Sequence, residues 1–400
     1  MGTQKTGLLR TPWFQLTLAL VVVALLVVAP LLLPIPVNQT LARIGVFAVA
    51  VLGLNVIMGY TGQVSLGQIF FLGLGAYVTA YGVENGWSIA LVFLAAVVIP
   101  GVVGLIVALA AARLGGLAIA MVTIALPIIG VPLAKRLSDV TGGSQGISAR
   151  FSSAPDWTGL ANDQWQYYLV LAIGGITFLL VFNLVRGKYG RAFRIVKENE
   201  AVAGAMGISP YRYKVLAFTI ASMVGGVSGF LYMVVIQYTS PETLAFHHSI
   251  SLLAAMVVGG AGSIIGSLVG GIYYVLVPNF TNEVAPTLTS LIQGAILLLV
   301  LFVLPGGIAS LPRVVRRWTG RSSRSAPPPA SPPGSPPPVS SPPDGSPSSS
   351  DPPPGITPST TPPSTTPSTT PPSTTPSTTH PSTTPSTTPP STASAKEDSP

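Results

Sequence analysis

A chain of 400 residues with a mean hydropathy of +0.60, 48% hydrophobic and only 8% charged, is excluded from the water-soluble globular class. The absence of cysteine removes disulfide frameworks and thiolate metal sites. The formal charge of +8 is not the footprint of a nucleic-acid binder, because the basic residues cluster in loops beside apolar runs.

Those runs are long and continuous rather than alternating, which predicts an all-α polytopic transmembrane helical bundle and not a barrel. The first extends from Trp13 to Leu33 behind Lys5 and Arg10. It is longer than a signal-peptide core and lacks a small-x-small cleavage site, so it reads as an uncleaved span. Further segments are expected at 40–58, 69–83, 88–112, 115–134, 166–185, 213–236, 249–259, 262–278 and 287–304, roughly ten membrane segments in all. Segments 69–83 and 249–259 are too short for a full crossing. Each adjoins a glycine-rich break, at Gly59–Gly67 and at Gly259–Gly262, and such interrupted segments point to broken helices along a pathway. Gly262, Gly266 and Gly270, spaced by four, fit a close helix–helix seam better than a path lining. The membrane domain is expected to cover 1–310. Residues 311–400 are expected to form a basic juxtamembrane segment and a disordered Pro/Ser/Thr-rich tail, for which the residues suggest no function.

Charge sets the expected orientation. With both termini cytoplasmic, the inner segments collect Lys5, Arg10, Arg113, the basic residues of loop 186–214 and the arginines from Arg313 to Arg324. Arg43, Lys135, Arg136 and Arg150 fall outside. An even number of crossings follows if the chain reverses at 259–262, so that 249–278 makes an out–in–out excursion. The location expected is the plasma membrane.

Several chemistries are missing. No G-x-x-x-x-G-K-[ST] motif occurs, so the chain has no phosphate loop and binds no ATP of its own. His247 and His248 are adjacent and expected to diverge at the outer membrane edge, which argues against a metal site, and no catalytic triad can be assembled. No span carries a buried charge near its centre, which argues against an ion-coupled carrier. The polar residues that do enter the membrane are neutral: Asn55, Gln63, Ser65 and Gln68, in the block Gly53–Gln68. Two readings stay open for them, helix-bridging hydrogen bonds or a polar lining for a passing zwitterion. Gly259 and Gly260 join them as candidate path residues.

The loop 186–214 is the strongest soluble feature. Residues 191–206 have helix-forming composition, stopped by Gly207 and Pro210. Ala192, Ile195, Val196, Val202, Ala203 and Met206 give a partly apolar face, suited to lying on a membrane of anionic lipid or seating in a partner's groove. The run Glu200-Ala201…Gly207-Ile208…Pro210 resembles the coupling loop of ABC-importer permeases, although Val202 departs from the Glu-Ala-Ala pattern. Three blocks, Gly53–Gly75, Tyr189–Tyr213 and Met256–Gly271, resemble the second permease subunit of high-affinity branched-chain amino-acid ABC importers, in that family's order. The similarity spans roughly 35–310 and leaves the tail without a counterpart.

That resemblance implies a non-enzymatic subunit paired with a sister permease, two cytoplasmic ATPase subunits that bind the ATP, and an extracytoplasmic substrate-binding protein. It also implies that Arg191, Arg194, Glu198, Glu200, Ala201, Gly207 and Pro210 contact the ATPase. The same machine carrying urea or another small neutral amide is an alternative. A self-contained channel or facilitator, and a membrane anchor presenting the tail, are the readings from other classes.

Overall fold

The computed structural model of the chain describes residues 24–113, 116–151, 154, 158–284, 289–303 and 307–308. Residues 13–23 of the first expected span, and the tail from 311, lie outside the described residues. Helix α1 (residues 24–32) turns at Pro34 into α2 (Ile35–Leu54), which ends in a π-helical turn at Asn55–Tyr60. An irregular stretch at 62–67 leads to α3 (Gln68–Glu84), α4 (Ile89–Ala111), α5 (Gly116–Arg136) and the single turn α6 (Ser138–Thr141). Strand β1 (Ile147–Ser148) precedes α7 (Asn162–Arg186), α8 (Lys188–Glu198), α9 (Glu200–Ala205) and α10 (Pro210–Ile236). Strand β2 (Tyr238–Thr239) and a 3-10 turn at Pro241–Leu244 then lead to α11 (Phe246–Gly259), α12 (Ile264–Val284) and α13 (Thr289–Val303).

Every segment expected from 40–58 onward is a helix, and the chain is a multi-pass membrane bundle. Among the described residues, six helices (α2, α4, α5, α7, α10 and α12) are long and apolar enough to cross a bilayer. The shorter α3, α11 and α13 have 17, 14 and 15 residues. One boundary moves in a way that matters. Pro34 and Pro36 start α2 at Ile35, because proline suits a first turn whose N–H groups have no intrahelical partner. Arg43, expected outside the span, therefore sits more than two turns inside the helix.

Helices α2 and α10 form the core, and α3, α4, α7 and α12 pack around them. Lipid tails are as apolar as leucine, so this association relies on close backbone approach and polar bridges. Gly229 of α10 lies against the carbonyl of Leu72 and the backbone of Gly75 and Ala76 on α3. On the other flank, Pro100 of α4 offers no N–H to the carbonyl of Ala96, and Gly226 of α10 comes up against that freed carbonyl. Ser228 adds a bridge by donating to the carbonyl of Val46 on α2 at 3.0 Å. By contrast α4 turns Leu94, Val98, Val102 and Ile106 outward, a face suited to lipid or another apolar helix.

The bundle has two distinct ends. At one, α8 and α9 adjoin the start of α10, and Tyr211 reaches the carbonyl of Leu109 at the end of α4. At the other, β1 pairs antiparallel with β2 (Ile147 with Thr239, Ser148 with Tyr238), and Lys135 bonds Glu242 at 3.3 Å. We predict that Gly229→Ala, which forces a methyl into α3 backbone, lowers stability by about 1–3 kcal/mol. Gly175→Ala, with no atom within 4 Å, should leave stability unchanged. Thermal unfolding of the detergent-solubilised protein separates the two.

Candidate functional site: two helix breaks joined at one end

The glycine-rich breaks singled out in the sequence meet in space. Between α11 and α12 the chain reverses at Gly260–Ser263, where Gly260 and Gly262 have φ of 114° and 78°, values that a β-carbon disfavours. The two helices then fold back on each other. Gly270 lies against the carbonyl of Ala255, and Gly266 against those of Gly259 and Gly260. The four-residue glycine spacing thus serves a packing seam, as the sequence favoured. The other break is the π-helical turn of α2, which widens the helix and is followed by Gly62 at φ 72°.

Asn55 clasps the two. Its amide nitrogen donates to the carbonyl of Ser263 at 2.8 Å and to Ser267 Oγ at 3.0 Å, and its carbonyl oxygen accepts from the N–H of Gly262 at 2.6 Å. Asn55 is fully buried, and Gly59 closes the joint by lying against the N–H of Gly262. The other neutral polar residues are also buried. Gln68 donates to the carbonyl of Ala221 on α10 at 3.1 Å, while its own Oε1 has no hydrogen-bond partner among the described residues. Gln63 donates to Thr61 Oγ1 at 2.9 Å, and Ser65 Oγ accepts from the N–H of Gly67. All of them are engaged in bridging or local turn bonds. Gly259 and Gly260 contribute backbone at the reversal.

Alongside this joint lies the former loop 186–214. The composition predicts one helix over 191–206, but the structure has two, Lys188–Glu198 and Glu200–Ala205. Asn199 has extended backbone (φ −160°, ψ 116°), and its side chain accepts from the N–H groups of Ala201 and Val202 at 2.9 and 3.2 Å. Asparagine at that point caps a new helix more favourably than it continues the old one. The result is an amphipathic α8 and a separate short α9. Ala192, Phe193 and Val196 are buried, and Phe193 meets Tyr213 of α10 edge-on at 6.1 Å. Arg191, Arg194, Glu198, Glu200, Ala201 and Gly207 are exposed, Pro210 is half-buried at the first turn of α10, and Val202 and Met206 add exposed apolar surface. Glu200 pairs with Lys214, tying α9 to α10.

One connection escaped the sequence reading. Lys197, counted there only as a charge, crosses from α8 to donate to the carbonyl of Gly59 at 2.7 Å. A π-turn leaves carbonyls without their usual partners, and Lys197 supplies one. An unbroken chain of hydrogen bonds and packed backbone therefore runs from the surface helix through Gly59 and Asn55 to the α11–α12 reversal. Ser263 and Ser267, the partners of Asn55, were likewise missed. The adjacent histidines also differ from expectation, since the rings of His247 and His248 lie 4.0 Å apart, centre to centre, rather than diverging. No cluster of three metal-ligating side chains exists among the described residues.

Residues 37–301 match the family described as the permease component of branched-chain amino acid transport systems. The chain belongs to that family. It is 27% identical over 296 residues to the high-affinity branched-chain amino acid transport system permease protein LivM of Escherichia coli, covering 67% of this chain and 68% of that one. It is 24% identical over 286 residues to the corresponding LivH protein of the same organism, covering 67% and 92%. An autoinducer 2 import system permease, LsrC of Klebsiella pneumoniae, is 26% identical over 142 residues, or 33% of this chain and 40% of that one. No solved structure matches. The matched span contains the whole clasp, α8 and α9. The family is one of transport permeases and not an enzyme class.

We expect Asn55→Leu, similar in volume, to orphan the N–H of Gly262 and the carbonyl of Ser263, at a cost of about 2 kcal/mol or more. The measurement is a lowered unfolding temperature, accompanied by faster thiol labelling of a Ser263→Cys reporter.

Proposed function

We propose that this permease is one membrane-spanning half of an ABC importer for branched-chain amino acids, with the α8 end facing the cytoplasm. The carrying observation is the pairing of an exposed charged and apolar platform on α8–α9 with a direct hydrogen bond, Lys197 to Gly59, into the membrane joint. A partner that pushes or pulls α8 moves the carbonyl it holds, and through Asn55 the reversal between α11 and α12. The basic residues Arg113, Arg186, Lys188, Arg191, Arg194 and Arg212 at this end support the orientation, with both termini cytoplasmic.

In this reading Arg191, Arg194, Glu198, Glu200, Ala201, Gly207 and Pro210 form the seat for a cytoplasmic ATPase. Asn55, Gln63, Ser65, Gln68, Gly259 and Gly260 shape the inner end of the path. A sister permease completes the pair, two ATPase subunits bind the ATP, and a binding protein delivers solute to the strand end. The similarity to both LivM and LivH fits two related permeases side by side. The similarity to an autoinducer 2 permease keeps a second reading, the same machine with a different small solute.

Glu200→Lys, which places like charges beside Lys214, and Gly207→Asp, at a backbone φ of 78°, should each abolish ATPase association or uptake while membrane insertion persists. Lys197→Met should leave the complex assembled and hydrolysing ATP but reduce uptake by about tenfold or more, the loss of one charge-assisted bond at the joint. Uptake of radiolabelled leucine, isoleucine, valine and urea in a deletion strain reads both effects and the solute. Wild-type kinetics in all three variants would remove α8 and α9 from the coupling route.

A further inference from the structure

At the strand end of the bundle, α2, α10, α11, α12 and α13 enclose a cavity of about 640 Å³, open on one side. Arg43 projects onto it. Arg43 lies eight residues beyond Ile35, about 12 Å along the helix, and is the one charged residue more than two turns from a helix end among the described membrane helices. A guanidinium at that depth is costly unless it faces water or a partner. Among the described residues it has no ion pair, and no aspartate or glutamate lines the cavity. The remaining wall combines aromatic and aliphatic side chains with the polar groups of His247, His248, Ser251, Asn279 and Asn282. Phe47 stacks on Tyr274 at 4.1 Å and meets Tyr232 edge-on at 6.3 Å, with Ile236 and Ile250 nearby. Tyr274 is fixed by a hydrogen bond of its hydroxyl with Nδ1 of His248 at 3.2 Å.

We propose that this cavity is a station for aliphatic amino acids, with Arg43 binding the α-carboxylate and the aromatic wall receiving the side chain. A guanidinium binds a carboxylate through two parallel charge-assisted hydrogen bonds, and one set beside aromatic and aliphatic side chains, with no carboxylate among the described lining residues, suits a monoanionic head on an apolar body. The ammonium of the zwitterion can rest against the tyrosine rings, whose faces attract cations. Arg43 and Asn55 stand on the same helix, twelve residues and about 18 Å apart, so the station and the joint are two ends of one rigid element. The proposal rests on the importer reading above and adds the site and the group it recognises.

The absence of native cysteine permits a direct test. Ser251→Cys places a thiol on the cavity wall of the full importer complex in membranes, and its reaction with a methanethiosulfonate reagent is timed. Leucine should slow labelling, whereas leucinamide, which lacks the carboxylate, should not. Arg43→Gln should weaken protection by leucine about tenfold, and Arg43→Lys should restore part of it. Equal protection by leucine and leucinamide, or protection unchanged by Arg43→Gln, overturns the assignment. So does protection by anionic phosphatidylglycerol vesicles but not by leucine, which would make the cavity a lipid seat. Uptake by the complex with Ser251 unchanged separates the two layers. No uptake of branched-chain amino acids refutes the importer reading, and uptake without protection by leucine refutes the station alone.

Discussion

A backbone N–H or carbonyl left unpaired in a bilayer costs several kcal/mol, because no water is present to replace the missing partner. This chain opens two such deficits close together, at the π-turn of α2, where Lys197 bonds the carbonyl of Gly59, and at the reversal between α11 and α12, where Asn55 supplies the partners. Asn55 has two donors and an acceptor, and all three are used on the opposite break. The position of α12 against α2, and hence the wall of the cavity at the far end, follows from that joint. The reversal is tolerable because Asn55 on the neighbouring helix meets its exposed backbone groups, which is how an irregular backbone survives inside a membrane protein.

The glycines act as the complement of this polar joint. Where Gly226 and Gly229 face α4 and α3, the helices approach until backbone meets backbone, giving a close-packed core around α10 that does not depend on hydrophobic exclusion. Where Gly259, Gly266 and Gly270 face each other, the same closeness shapes α11 and α12 into a hairpin that returns to its starting side. The bundle is thus built from rigid seams joined at one clasp, and Lys197 attaches the surface helix α8 to that clasp.

Much of this was legible in the sequence, and the reasons for the rest are physical. Helix existence followed from apolar runs, since hydropathy alone specifies a spanning segment. Both breaks showed in their glycines, and the exposed platform in its alternation of charge and apolar residues. The pairing of the breaks was not legible, because Asn55 and Gly262 lie 207 residues apart and a buried asparagine looks the same whether it bridges helices or lines a path. The division at Asn199 had a local signal, asparagine followed by an acidic first turn, which helical composition on both sides concealed. Arg43 falls outside in the charge-based orientation, because the apolar run alone does not mark where the helix begins. The prolines at 34 and 36 in fact start the helix before Arg43. Lys197 read as one more topological charge, since a lysine that reaches a single carbonyl leaves no pattern in sequence.

In the proposed importer, α8 and the break in α2 move as one body. The most direct measurement is the distance between spin labels at Arg191 on α8 and at Val64 beyond the π-turn, both exposed, in the complete importer. One narrow distribution, the same without nucleotide and with ATP bound, is the expected result. A distribution that shifts or splits when ATP binds would contradict it, because α8 would then be sliding past the joint it is held to drive.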